Sequence, residues 1–335
     1  MCILKKMVPL LLAVALLAGC GQTTGSPDVG NTAGDEEIFV ETVDVEDLED
    51  LDIEDEVVAL ASGPAALHNL LVPEASGRKV EKNQKARIDY SNTKDGYVMV
   101  NFTTTTKTRL KVIIQGPTTK YTYDLPAKEW TTFPLSDGNG TYTVGVYEQN
   151  TKNTKYATVL SLKTSVQLTD EFAPFLRPNQ YVDYEDAVDT IAMAEKLVGK
   201  EKDPMKKVQK IYDYVVKNFK YDTKKASTVA STYLPELDKV LKAKKGICFD
   251  YAALMTGMLR SQGVPCKLVV GYAGSVYHAW INVWSEESGW VNSAIYFNGT
   301  SWQRMDPTFA STGKSSKSIM KYIGDGSNYD AQRLY

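Results

Sequence analysis

The stretch Lys244-Lys245-Gly246-Ile247-Cys248-Phe249-Asp250-Tyr251-Ala252-Ala253-Leu254 decides how the second half of this 335-residue chain is read. Gly246 gives the backbone freedom to turn sharply. Residues Asp250 to Arg260 then carry the pattern of a buried helix closing at Gln262-Gly263. Cys248 therefore falls at the N-terminal end of a helix, where the dipole and free amide N–H groups favour thiolate over thiol. The same amides suit a developing oxyanion. Taken alone, a single cysteine there is equally well a buried structural residue.

Downstream, strand-like runs occur at Lys267–Tyr272, His278–Trp284 and Trp302–Met305, with Trp290–Phe297 a fourth candidate. His278 opens its run, and strand periodicity puts His278, Trp280 and Asn282 on one face. Asp306 ends the last run just before Pro307, so its side chain can leave the sheet edge. The order Cys248, His278, Asp306 has spacings of 30 and 28 residues and suits a nucleophile, a base and an orienter in one compact domain. The chain has two histidines, and the other, His68, lies far upstream beside an acidic stretch, so imidazole chemistry falls to His278.

Upstream of the cysteine, from about Asp170, the apolar period is 3.6. Glu185–Val198 reads as one helix. Asp203-Pro204 is an N-cap with proline at the first helical position, ahead of Met205, Val208, Ile211, Tyr212, Val215 and Phe219. Leu237–Ala243 is a third, short helix. Helices followed by an antiparallel sheet make an α+β domain.

Together the phrases Gly246-x-Cys248-x-Asp250-Tyr251-Ala252, His278-Ala279-Trp280 and Asp306-Pro307-Thr308 resemble the transglutaminase-like superfamily. The linking phrase Leu259-Arg260-Ser261-Gln262-Gly263-Val264-Pro265 is similar to that family's helix-to-strand connection. The resemblance covers about residues 180 to 310. Two features depart from it: Cys266, where the family usually has a small apolar residue, and a long polar stretch between Trp284 and Trp302. The resemblance implies a papain-like fold in which His278 withdraws the Cys248 proton and Asp306 orients the imidazole. A thioester acyl-enzyme would then be released by an amine or by water. The second oxyanion donor stays open among Tyr221, Tyr233 and Trp280. A catalytically idle fold used for binding or scaffolding at the cell envelope is the alternative.

The β-rich region from Ala86 to Leu168 alternates with period two in Val98/Val100/Phe102, Leu110/Val112/Ile114, Tyr121/Tyr123/Leu125, Tyr142/Val144/Val146 and Val159/Leu160/Leu162. Turn signals at Asp95-Gly96, Gly116-Pro117, Pro126-Ala127 and Asp137-Gly138-Asn139-Gly140 separate these runs. About seven strands at this spacing predict a small all-β, immunoglobulin-like sandwich over 78–168, preceding a catalytic domain over 169–335. No catalytic constellation falls in the sandwich, which reads as a spacer or binding module.

The first nineteen residues read as a leader. Lys5 and Lys6 precede the apolar run Val8–Ala18, which is too short for a bilayer span of about 20 residues. Leu17-Ala18-Gly19-Cys20 resembles a bacterial lipobox, which implies lipidation of Cys20 and an extracytoplasmic, membrane-anchored protein. Of four cysteines, only Cys248 and Cys266 then stay in the body, and a disulfide between them is not expected. Two thiols and one usable imidazole are too few for a zinc site.

Residues 20–77 read as an acidic, disordered tether. Gly21–Gly77 carries fifteen Asp and Glu and no Lys or Arg, while 78–335 is net +10 within a chain of net charge −3. Two readings of the tether stand: an extended spacer, or an arm that docks on the basic body. Nucleic acid does not fit a chain outside the cytoplasm, so the expected partners are protein or peptide substrates, cell-wall polymers among their surroundings. Walker A and Rossmann fingerprints are lacking and no cofactor is expected. Ser311-Thr312-Gly313-Lys314 fits Ser-x-x-Lys by chance, in a loop with no helix pattern after it.

Overall fold

The computed structural model describes residues 70–273, 275–286, 289–291, 295–297, 302–304 and 329–335. Residues 80–166 form two antiparallel sheets. The strands are β1 (Val80–Lys82), β2 (Ala86–Asp89), β3 (Tyr97–Phe102), β4 (Leu110–Gln115), β5 (Lys120–Asp124), β6 (Trp130–Pro134), β7 (Gly140–Gln149) and β8 (Tyr156–Val166). They pair in the orders β1-β2-β3-β6 and β5-β4-β7-β8. The chain crosses between sheets after β3, returns for β6 and crosses again, an immunoglobulin-like order.

The alternating residues decide which faces meet. Val98, Val100, Phe102, Val112, Ile114, Tyr123, Val144 and Val146 are all buried between the sheets. Tyr142, near the start of β7, brings its hydroxyl to 2.9 Å from the Gly138 carbonyl oxygen and 3.2 Å from that of Leu135. This ties the β6–β7 corner as the tyrosine corner does in such sandwiches. The strands β1, β2 and β6 had no alternating run to announce them: each is short or rich in polar residues.

The helical region contains α1 (Val188–Val198), α2 (Pro204–Asn218), α3 (Thr223–Ala226), α4 (Leu237–Ala243) and α5 (Cys248–Ser261), with β9 (Lys220–Tyr221) and β10 (Lys245–Gly246) between them. The Asp203 carboxylate accepts the Met205 and Lys206 amides and starts α2 as its sequence predicts. α1 begins three residues later than expected. Its first amides, at Asp189 and Thr190, are taken by the Asp238 carboxylate from α4, so a tertiary contact sets its start.

The C-terminal sheet comprises β11 (Cys266–Ala273), β12 (Val276–Ser285) and β13 (Gly289–Val291); β14 (Ile295–Phe297) and β15 (Trp302–Arg304) form a separate hairpin pair. β16 (Tyr329–Leu334) completes the larger sheet in the order β13-β12-β11-β16. The segment expected as one strand over 290–297 is thus two strands in different sheets. β16 had no apolar alternation to reveal it. It is held by backbone pairing to β11, with a bulge at Val270/Gly271. The result is the α+β arrangement of an all-β sandwich followed by helices and an antiparallel sheet. Among the described residues no helix is long and apolar enough to cross a membrane.

The sandwich packs on the segment after it and reaches α5 through Tyr181 and Tyr335, all within one compact unit. One hydrophobic cluster runs from Val98 and Phe133 through Tyr123 and Tyr335 to α5. The Tyr181 and Tyr335 rings are stacked at 4.1 Å between Tyr123 of β5 and Phe249 of α5. Gln180 seals this contact through the Asp124 and Thr132 carbonyl oxygens. Elsewhere along the connecting segment, Lys267 of β11 lies over Trp290 at 3.7 Å and Phe175 at 4.7 Å. Burial there pushes its ammonium down to about 8.

Candidate active site

The approach to Cys248 is fixed by two short parallel strands. α4 ends at Lys244, whose φ of +47° reverses the chain. β10 then pairs with β9, the Lys220 amide donating to Lys244 and the Asp222 amide to Gly246 at 2.8 Å. Ile247 is extended, and the helix begins at once with Cys248, two residues earlier than the sequence pattern suggested.

The cause of the early start is Asp250. Its carboxylate accepts the Ile247 amide at 2.8 Å, which is the reciprocal half of a capping box. The first helical hydrogen bond runs from the Tyr251 amide to the Ile247 carbonyl oxygen, so the amides of Cys248, Phe249 and Asp250 lie ahead of the intrahelical ladder. Gly246 serves this arrangement through space, not through backbone freedom. Its φ is not positive, and a Cβ there would stand 2.6 Å from the Asp250 Cβ.

Asp250 is fully buried and has two further partners. Lys225 Nζ donates to it at 2.6 Å, and the Tyr233 hydroxyl donates at 2.6 Å. Burial, reinforced by the hydrogen bond to Asp250, pushes the Tyr233 phenol upward from 10. Tyr233, one of three candidate oxyanion donors, is therefore committed to a carboxylate. Tyr221 sits half-buried in β9, and Trp280 is buried against Tyr329, with ring centroids 5.1 Å apart.

His278 lies on β12 opposite Gly271 of β11. Its ring is 6.2 Å from Trp280 and 6.4 Å from Tyr329. A side chain at Gly271 would meet the Asp330 carbonyl oxygen at 2.0 Å and the Trp280 ring at 2.9 Å. The glycine thus lets β16 and the indole close beside the histidine. Along β12, Ala279, Ile281 and Val283 join the core under α5, while His278, Trp280 and Asn282 alternate to the other face, as strand periodicity requires. α5 packs on β11 and β12, so the elements carrying Cys248 and His278 are in direct contact. Both residues are buried, at 4% and 5% exposure. Asp306 and Cys20 lie outside the described residues, as do His68 and Ser311–Lys314.

Cys266 stands at the other end of α5. Both it and Cys248 are free thiols, and Cys266 is fully buried with Sγ 3.6 Å from the Thr256 hydroxyl. Burial pushes its thiol up to about 11. Beside it, Arg260 is 3% exposed and donates to the backbone oxygens of Cys266, Arg177 and Tyr335 at 2.9, 2.7 and 2.6 Å. One guanidinium fork joins helix, connecting segment and β16 edge. The roles of Asp250 as a cap, Lys225, Gly271 and Arg260 emerge only in the fold. Only Asp250 had a local signal, an acid at the third helical position.

Residues 191–307 match the family model of the transglutaminase-like superfamily. The uncharacterized protein YebA of Bacillus subtilis is 30% identical over 119 residues, covering 30% of this chain and 16% of that protein. A protein-glutamine gamma-glutamyltransferase of Pseudomonas aeruginosa is 30% identical over 69 residues, covering 16% of this chain and 10% of that protein. The chain thus aligns with less than a fifth of either curated relative. Among solved structures, the periplasmic domain of TgpA from Pseudomonas aeruginosa, bound to ethylmercury, aligns with a TM-score of 0.33 at 15% identity, over 64% of this chain and 94% of that one. The cysteine at the start of α5, the histidine on the strand packed beneath it and the match over 191–307 agree: this part of the chain is a transglutaminase-like domain.

Proposed function

We propose that the protein is a cysteine acyltransferase or hydrolase of protein and peptide amides, held outside the cytoplasm by a lipid on Cys20. The observation that carries the reading is the placement of Cys248 as the first residue of a helix whose leading amides precede its hydrogen-bonded ladder. His278 takes the thiol proton, and the sulfur attacks the amide carbonyl carbon. The oxyanion is met by the α5 amides. The tetrahedral adduct collapses to a thioester as the imidazolium gives its proton to the departing amine. Asp306 holds the imidazole in the required tautomer. A second amine then yields an exchanged amide, or water yields a carboxylate, and the thiol is regenerated.

Incubating the purified protein with casein and a labelled primary amine tests this. Label on casein indicates transfer, and shortened casein indicates hydrolysis; both must vanish in Cys248→Ala. Wild-type protein that does neither would overturn the reading. The burial of both Cys248 and His278 favours a second reading, a transglutaminase-like fold that binds an envelope partner without turnover. That reading requires Cys248 and Cys266 to react alike, and slowly, with iodoacetamide at mildly acidic pH.

A further inference from the structure

A full negative charge stands two residues from the nucleophile position, buried beyond the reach of water. Asp250 has no exposed surface, whereas the Lys225 side chain is 27% exposed. At the first turn of a helix a carboxylate is favourable for the helix itself. For a thiolate at Cys248 it is a like charge, and a like charge nearby disfavours the ionised form. The chain brings the opposite charge from α3, twenty-five residues upstream, to 2.6 Å from Asp250 Oδ2. Tyr233 closes the triangle, 2.6 Å from Asp250 Oδ1 and 2.6 Å from Lys225 Nζ, with the ammonium 4.1 Å from its ring centroid.

We propose that Lys225 is a positioning residue for the chemistry at Cys248. It neutralises Asp250, so that the carboxylate can hold the Ile247 amide and shape the start of α5 without opposing a thiolate. This deepens the catalytic reading of Cys248 and rests on it. Tyr233 fixes the ammonium by hydrogen bond and ring contact and touches no reacting atom.

The other charged or titratable groups around this end of α5 do not replace Lys225. Asp222, the N-cap of α3, is bound to Lys245 at 3.3 Å and to the Lys225 amide. Asp238 of α4 is engaged by the first amides and Thr190 hydroxyl of α1. Lys207 of α2 lies at the far end of α5, on the Gln262 carbonyl oxygen. Among the described residues, Tyr221 on β9, Tyr181 beside Phe249 and His278 on β12 are the others; of these three, only His278 can bring a positive charge, and it is the base itself.

The test is the rate of iodoacetamide alkylation of Cys248 across pH in the full chain, with Cys266 as internal reference. At pH 6, Lys225→Met is expected to alkylate about tenfold more slowly than the parent, the effect of a nearby uncompensated charge worth about one pH unit. Its whole profile moves to higher pH. Lys225→Arg keeps the charge and stays within about twofold of the parent, and Lys225→Met/Asp250→Asn recovers the parent rate, because the charge to be neutralised is gone. A Lys225→Met rate equal to the parent's would overturn the proposal. So would a double variant as slow as Lys225→Met, which would mark Lys225 as packing alone.

If Lys225→Met does not fold, the double variant against Asp250→Asn decides: Asp250→Asn, left with an uncompensated ammonium, is expected to alkylate faster than the double variant, and equal rates sink the proposal. A parent chain whose Cys248 labels no faster than Cys266 counts against the catalytic reading, while the comparison among Lys225 variants stays readable.

Discussion

At its first turn α5 holds Cys248 beside a buried carboxylate; at its last turn it holds Arg260, a buried guanidinium, beside Cys266. The two ends complement the helix dipole in the expected sense, acid at the start and base at the finish. They satisfy their charges differently. Asp250 is met by an ammonium, a phenol and one amide, whereas Arg260 is met by three carbonyl oxygens. The first solution leaves the amides of Cys248, Phe249 and Asp250 ahead of the helical ladder. The second spends every group on joining segments, and the thiol beside it is only filler. The candidate reactive cysteine thus opens α5 and the inert one stands on β11 beside the helix's far end, distinguished by their polar surroundings and not by burial.

The contrast is most exposed to the loss of each end's key side chain. Cys248→Ala is expected to lower transfer or hydrolysis by about 10⁴-fold or more, with little change in the urea midpoint, since nucleophile removal is the largest single loss such sites show. Turnover that survives in this variant would place the chemistry elsewhere. Arg260→Met should do the reverse. It removes the guanidinium donor from the Cys266 and Arg177 oxygens and leaves the Tyr335 oxygen with only the Leu268 amide, and urea unfolding is expected to show a loss of about 3–5 kcal/mol. Lys at this position cannot reach all three oxygens and should rescue only part.

A smaller effect concerns pH. The Cys266 thiol is raised in the folded chain to about 11, above its unfolded value near 9. Between these values the unfolded chain has released the proton and the folded chain has kept it, so stability falls as pH rises through that window. The loss is about 2–3 kcal/mol from pH 9 to 11, and comparison of urea midpoints with Cys266→Ala isolates it. The smallest expected effect is that of Cys266→Ala itself at neutral pH. It should leave turnover unchanged and cost about 1–2 kcal/mol for the vacated space. A large loss of turnover would break the distinction between the two thiols.

Legibility followed locality. α4 runs over Leu237–Ala243 as its pattern predicts, and α2 starts at Pro204 because its cap is the adjacent Asp203. α1 starts late because its cap is Asp238, forty-nine residues away from Asp189. β16 was invisible because its pairing partner, and not its own alternation, makes it a strand. The sandwich read as a spacer or binding module, yet it shares its aromatic core with α5 through Tyr123, Tyr181 and Tyr335. Such contacts join residues more than fifty positions apart and leave no local trace.

By itself the sequence determined the periodic segments, the charge division between an acidic N-terminal stretch and a basic body, and the phrases around Cys248 and His278. These depend on neighbours within one turn or one strand. The tertiary structure alone decided why Gly246 and Gly271 must be glycine, which cation meets Asp250, what satisfies Arg260, and that Tyr233 is already engaged. Each is a matter of two or three distant segments meeting in a water-poor interior, where an unpaired charge or a misplaced Cβ costs more than any local preference can offset.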